Sequence, residues 1–223
     1  MKICVVIPVY NESTAIGNLV HAVRAKNLDV LVIDDGSQDA SGDLARKAGA
    51  TVISHPQKCG KGFSLRDGFH YALSHGYDGV IAMDGDGQHV VEDLDPIIVK
   101  AKEYPHCLIS GNRMANPKGM PLVRYCVNRI MSFAISKKCR QHVPDSQCGF
   151  RYIGAHVLKE MNLTSSDFEI ESEMLIEASR AGFKIYSVPI QTIYCDEISK
   201  IHPVIDTVRF FKYLFRQARS PKR

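Results

Sequence analysis

The chain has 223 residues, of which 45% are hydrophobic and 23% charged, with a formal net charge of +4; this suffices for one large α/β domain and is too mildly basic to imply nucleic-acid binding. No segment approaches the roughly 20 consecutive apolar residues of a membrane span, and the short apolar run after Met1, without a small-residue cleavage site, does not read as a signal peptide. Seven scattered cysteines without a C-x-x-C pair argue against zinc or a disulfide framework, so a cytoplasmic enzyme with reduced thiols is expected.

In chain order, Lys2–Val9 and Val30–Asp34 are β-branched runs that predict strands. Between them a helix is predicted to begin near Glu12, with Asn11 or Ser13 as its cap. A helix over Ala40–Ala48, a strand over Ala50–Ser54, a helix over Gly62–Ser74 and a strand over Gly79–Met83 continue the alternation. Four strands with helical crossovers predict a parallel, doubly wound α/β sheet. Ligands bind such sheets outside the carboxyl ends of the strands. Tyr10-Asn11-Glu12, Asp34-Asp35-Gly36-Ser37 and Asp84-Gly85-Asp86 are therefore expected on one rim.

The second half is less regular. Leu108–Gly111 reads as a strand, Val123–Lys138 as a helix, Cys148–Ile153 as a strand and Ile170–Ala181 as a helix stopped by Gly182. Lys184–Tyr194 reads as a strand interrupted by Pro189, which predicts an edge or a bulge. From Arg209 onward the chain carries six basic residues and no acid, interleaved with Phe210, Phe211, Tyr213, Leu214 and Phe215. This pattern fits a helix with its aromatics packed on the core, with a basic amphipathic helix at an anionic membrane surface as the alternative. No repeat, low-complexity segment or long linker divides the chain.

Asp84-Gly85-Asp86-Gly87-Gln88, where an apolar strand stops, gathers two carboxylates and an amide. Such oxygen donors suit a hard divalent ion, Mg²⁺ or Mn²⁺, and Mg²⁺ characteristically joins one or two carboxylates to substrate phosphates. An EF-hand is excluded because His89 stands where the loop needs glycine. Gly60-Lys61-Gly62 is not a Walker A loop, since His55 replaces its first glycine and Gly62 its metal-touching hydroxyl residue.

Taken together, Pro8-Val9-Tyr10-Asn11-Glu12, Asp34-Asp35-Gly36-Ser37, Asp84-Gly85-Asp86 and Asp145-Ser146-Gln147-Cys148-Gly149-Phe150-Arg151 resemble the family-2 glycosyltransferases. In pattern they are closest to the polyprenyl-phosphate type, such as dolichyl-phosphate mannose synthases. The resemblance implies a GT-A fold: a Rossmann-like, mostly parallel sheet with helices on both faces, in a single domain over residues 1–202. Residues 1–100 would bind the nucleotide sugar and 101–202 the acceptor, followed by a basic amphipathic tail over 203–223. It further implies that Pro8, Tyr10, Glu12, Asp34, Asp35 and Lys61 contact a UDP- or GDP-sugar, and that Asp84, Asp86 and Gln88 hold the metal against its diphosphate. Arg113 and Arg151 match phosphate-contacting arginines, and Lys200 matches a late lysine that closes over a phosphate. Glu173 is the mapped candidate for a general base, and Asp145 is the other acid near the reaction centre.

Such enzymes invert the sugar's anomeric carbon in one displacement. A hydroxyl acceptor needs a positioned base, whereas a lipid monophosphate, with a second pKa of about 6, is already largely ionised and needs cations to hold it. Polyprenyl phosphate is the expected acceptor, with peripheral contact at the inner face of the membrane. A saccharide hydroxyl remains the alternative acceptor, and a nucleotidyltransferase or a non-catalytic nucleotide-sugar binder the alternative class.

Overall fold

Ile3-Cys4-Val5-Val6-Ile7 is apolar at every position because β1 (Ile3–Val9) is flanked by strands on both sides and covered on both faces. Successive side chains leave a strand in opposite directions. Val6 accordingly joins a core with Leu31, Leu65, Phe69, Val80, Ile135 and Met174, while Val5 and Ile7 join a second with Ile16, Val20, Val32, Ile81, Leu94 and Ile97. The computed structural model describes residues 1–191. It comprises seven strands in the order β3-β2-β1-β4-β6-β5-β7. These are β1, β2 (Asp29–Asp34), β3 (Thr51–Ser54), β4 (Gly79–Ala82), β5 (Leu108–Asn112), β6 (Arg151–Gly154) and β7 (Ile185–Pro189). Only β6 runs antiparallel to its neighbours, β4 and β5.

Helices α3 (Lys61–Ser74), α5 (Leu122–Cys139), α6 (Ala155–Glu160) and α7 (Ile170–Arg180) line the first core. The second core is lined by α1 (Ile16–Ala25), α2 (Ser41–Lys47) and α4 (Leu94–Glu103). The mostly parallel sheet with helices on both faces is thus as expected. β1 pairs with β2 on one side and β4 on the other, so the chain reverses its lateral direction at β1 and opens a crevice above the strands' carboxyl ends.

Three local expectations need correction. Helix α1 starts at Ile16, not near Glu12, and Ala15 caps it without a side-chain bond. Asn11 and Ser13 instead tie the rim to the next loop: Asn11 adopts φ 55°, its Oδ1 accepts from Gln38 N, and Ser13 N donates to Asp39. Asparagine tolerates that left-handed conformation better than most residues. Helices α4 and α6 were not anticipated, although Leu94, Ile97 and Ala101 are spaced to bury one face of α4 behind Pro96 in its first turn. β7 lies at the sheet edge, as Pro189 implied, but it stops at that proline instead of continuing through residues 190–191, and residues 192–194 of the expected strand lie outside the described residues.

The seat of α3 on β1 depends on Gly68, where a Cβ would stand 2.3 Å from Val6 Cγ1. Gly68→Ala is expected to destabilise the fold by about 1–3 kcal/mol through overpacking. Urea unfolding measures this, and an unchanged midpoint would contradict that packing.

Candidate active site

The first rim segment is built from backbone groups satisfied by carboxylates. Asp35 continues β2 past its last residue, with its N–H donating to Val9 O at 2.8 Å. Its buried carboxylate accepts from Cys59 N and Gly60 N, both at 2.8 Å, and lies 2.9 Å from His55 Nδ1. The far nitrogen of His55 is 3.1 Å from Asp67 Oδ2. Asp34 accepts from Ser37 N at 3.0 Å, which closes the Asp34–Ser37 turn, and Gly42 approaches its other oxygen so closely that a Cβ would stand 2.6 Å away. Glu12 N donates to Ser41 Oγ at 2.8 Å. Tyr10 carries the Lys58 ammonium 4.0 Å from its ring centroid, and Pro8 pairs with Ile33 inside the ladder. The structure thus gathers Pro8, Tyr10, Glu12, Asp34 and Asp35 at the ends of β1 and β2.

A second segment, beyond β4, contains the acid cluster. Lys61 Nζ, at the start of α3, lies 2.6 Å from Asp84 Oδ1 and 2.6 Å from Glu171 Oε1. His89 Nε2 lies 3.4 Å from Asp84 Oδ2, and its Nδ1 is buried without a partner. Burial would raise the Asp84 carboxyl, but the Lys61 ammonium and His89 outweigh it and hold it well below the ordinary carboxylate range. Burial would likewise lower Lys61, yet Asp84 and Glu171 hold it above its ordinary value. Gly149 faces this carboxylate: a Cβ there would fall 2.4 Å from Asp84 Oδ2, so only glycine leaves the acid its place. Asp86 Oδ1 accepts from Gln88 N at 3.0 Å in a turn that Gly87 closes with φ 72°. The oxygens gathered around the Lys61 ammonium come from Asp84 and Glu171, and carboxylate oxygens are the donors a hard cation takes. Asp86 and Gln88 lie in the adjoining turn.

Of the acids on α7 it is Glu171, and not the mapped candidate Glu173, that reaches the cluster. The resemblance points to Glu173, and helical spacing adds only that Glu171 leaves the helix on a different face. In the structure Glu171 reaches Lys61, whereas Glu173 is buried and folded back on the preceding loop. Its carboxylate accepts from Thr164 N, Thr164 Oγ1 and Ser165 N at 2.8–3.1 Å. That loop in turn covers the start of α3, with Ser166 O accepting from Gly62 N at 2.7 Å. A carboxylate with these three donors holds a loop and is not presented as a base.

The third segment is a buried ion pair. Arg113 meets Asp145 through Nε at 2.8 Å and Nη2 at 2.9 Å, with its own backbone N–H on the same carboxylate. Asn128 Nδ2 donates to Asp145 Oδ1 at 2.8 Å. Against the opposing effect of burial, the pair holds Asp145 below the ordinary carboxylate range and Arg113 above its ordinary value. Arg151 is fully buried and donates to the carbonyls of Cys148, Ser146 and Glu171, so its fork joins two loops and is not turned outward to a phosphate. Lys200 and the 203–223 tail lie outside the described residues.

Sequence reasoning missed Glu171, His89 and Asn128. His89 directly follows the acid cluster, which was a usable signal; Glu171 and Asn128 gave none, because their partners lie on elements remote in sequence.

The mostly parallel sheet, with a paired-aspartate turn and an acid cluster at its strand ends, is the architecture of a GT-A fold. The chain belongs to glycosyl transferase family 2, whose model matches residues 4–161. It is 32% identical to the UDP-N-acetylglucosamine–dolichyl-phosphate N-acetylglucosaminyltransferase of Methanococcus voltae, over 87% of this chain and 86% of that one. It is 30% identical to the undecaprenyl-phosphate mannosyltransferase of Micrococcus luteus, over 85% and 83% of the two chains. Among solved structures, glucosyl-3-phosphoglycerate synthase of Mycobacterium tuberculosis, crystallised with Mn²⁺, UDP and glucosyl-3-phosphoglycerate, superposes with a TM-score of 0.76. The alignment covers 99% of this chain and 81% of that one at 18% identity, a likeness of fold.

Proposed function

We propose that the protein transfers a sugar from a nucleoside diphosphate sugar to a polyprenyl phosphate, with inversion and with help from Mg²⁺ or Mn²⁺. The observation that carries the acceptor is the commitment of the candidate bases: Glu173 is taken up by Thr164 and Ser165, and Asp145 by Arg113 and Asn128. A phosphate nucleophile needs neither. The lipid-phosphate acceptors in the names of the Methanococcus and Micrococcus relatives favour the same reading.

In this account Pro8, Tyr10, Glu12 and Asp34 receive the nucleoside, with Asp34 suited to a base N–H and Asp35 supporting the rim beneath it. Lys61 contributes positive charge beside the diphosphate. A divalent ion on Asp84, Asp86 and Gln88 would supply neutralisation of the charge that grows on the leaving nucleoside diphosphate. Arg113, held by Asp145, supplies a cation for the acceptor phosphate, and Lys200 adds a second. Arg151 positions the Ser146–Cys148 loop. Asp35 keeps that loop's counterpart at Cys59–Gly60 in place while the base binds.

Glu173→Gln tests the acceptor directly. With polyprenyl phosphate, kcat should fall less than about tenfold, while the melting temperature drops because an amide now opposes the Thr164 and Ser165 donors. A kcat loss of about 10²–10⁴-fold with donor binding intact would mark Glu173 as a base and favour a saccharide hydroxyl.

A further inference from the structure

Of the large hydrophobic side chains that are exposed among the described residues, four sit on α5: Leu122 (75% exposed), Val123 (65%), Ile130 (59%) and Phe133 (65%). Leu122, Cys126, Ile130 and Phe133 recur at helical spacing and form one outward stripe, while Asn128, Met131, Ser132, Ile135 and Cys139 are buried on the opposite side. The stripe is set in positive charge. From Arg113 to Pro144 the sequence contains seven basic residues and no acid. Lys118, Arg129, Lys137, Lys138 and Arg140 among them are exposed, and Lys137 Nζ lies 5.5 Å from the Phe133 ring centroid.

We propose that this face of α5 lies on an anionic lipid bilayer. An apolar stripe bordered by cations is the form taken by helices that rest in the headgroup region, where anionic lipids add to the apolar contribution. Charge argues against the other occupants. A second copy would set two basic, acid-free segments against each other, and the segment from Arg209 to the end of the chain is itself basic and without acid. The inner side of α5 links this surface to the active site. Asn128 Nδ2 bonds Asp145 Oδ1 at 2.8 Å, and Ser132 Oγ bonds Ser146 Oγ at 3.3 Å, within the segment whose Asp145 orients Arg113. Docking through α5 therefore sets Arg113 roughly 10 Å behind the headgroup layer, one helix diameter away, on the side a lipid phosphate would have to reach. That consequence rests on the polyprenyl-phosphate reading, whereas the docking surface itself does not.

The test is co-sedimentation of the full chain with vesicles of phosphatidylcholine containing phosphatidylglycerol, against phosphatidylcholine alone, with no polyprenyl phosphate present. The protein should pellet with the anionic vesicles only. I130S/F133S should weaken partitioning at least about tenfold through lost apolar burial. K137E/K138E should weaken it by about 25-fold or more, at about fivefold per cation removed. Both variants should retain parental transfer to an acceptor presented in detergent. The inference is overturned if both variants pellet like the parent, if R216E/R219E alone abolishes binding, or if light scattering shows a dimer that I130S/F133S dissociates. Loss of vesicle binding with detergent transfer intact would remove the docking surface and leave the acceptor assignment standing. Intact vesicle binding without transfer to any lipid phosphate would do the reverse.

Discussion

Asp86→Asn is expected to reduce sugar transfer by about 10²–10³-fold, the usual cost of removing one electrostatic contributor to a charged transition state. The substitution is well suited to the question because it spares the fold. The introduced amide keeps an oxygen that can accept from Gln88 N, so the turn closed by Gly87 stays in place. What the substitution removes is a charge, and with it much of the hold on a divalent ion. Asp84 alone holds an ion less firmly, since its carboxylate is shared with Lys61 at 2.6 Å. The signature is a half-saturating concentration of Mn²⁺ or Mg²⁺ well above that of the parent, with an unchanged melting temperature without metal. A variant that kept the parental rate at every metal concentration would remove Asp86 from the metal site.

Asp145→Asn should instead strike the fold. Arg113 and Asp145 are both buried, and the carboxylate is the arginine's ion-pair partner. Removing one member of such a pair leaves an uncompensated charge, with an expected loss of about 3–5 kcal/mol in unfolding free energy. R113M/D145N should recover part of this, because it removes the stranded guanidinium as well. The pH dependence has a definite sign. Asp145 is held below the ordinary carboxylate range, so its contribution is complete above a pH of about 4 and is lost as pH falls towards the depressed folded value. The parent should lose stability on acidification through this group, and the acid limb of Asp145→Asn should be correspondingly flatter. Urea midpoints across that range measure both effects, and parallel acid limbs would contradict the assignment.

The parts of the architecture that could be read from the sequence are those where one segment meets the same environment along its length. β1, β2 and β4 announced themselves as unbroken apolar runs because a parallel strand between two helical layers has no solvent face. Their ends announced the rim, since aspartates directly after such runs have few other places to go. Orientation within the rim was less accessible. On α7 the spacing of Glu169, Glu171 and Glu173 gives relative directions but not the direction of the site, which is fixed by Lys61 on α3. Arg151 shows the same limit: its motif marks a functional loop, yet whether the fork faces a ligand or three carbonyls depends on how that loop closes against α7. The two unanticipated helices are elements whose flanking signals are weak, one six residues long and the other beginning with a proline in its first turn.

Everything proposed for the catalytic residues turns on the acceptor, and one assay addresses it. The protein is incubated with radiolabelled UDP- and GDP-sugars and Mn²⁺, and offered polyprenyl monophosphate, the matching free polyprenol, or a saccharide. Label should pass from one donor to the monophosphate alone, giving a mild-acid-labile lipid, and EDTA should stop it. Transfer to the saccharide hydroxyl with none to the polyprenyl phosphate would overturn the lipid-phosphate assignment.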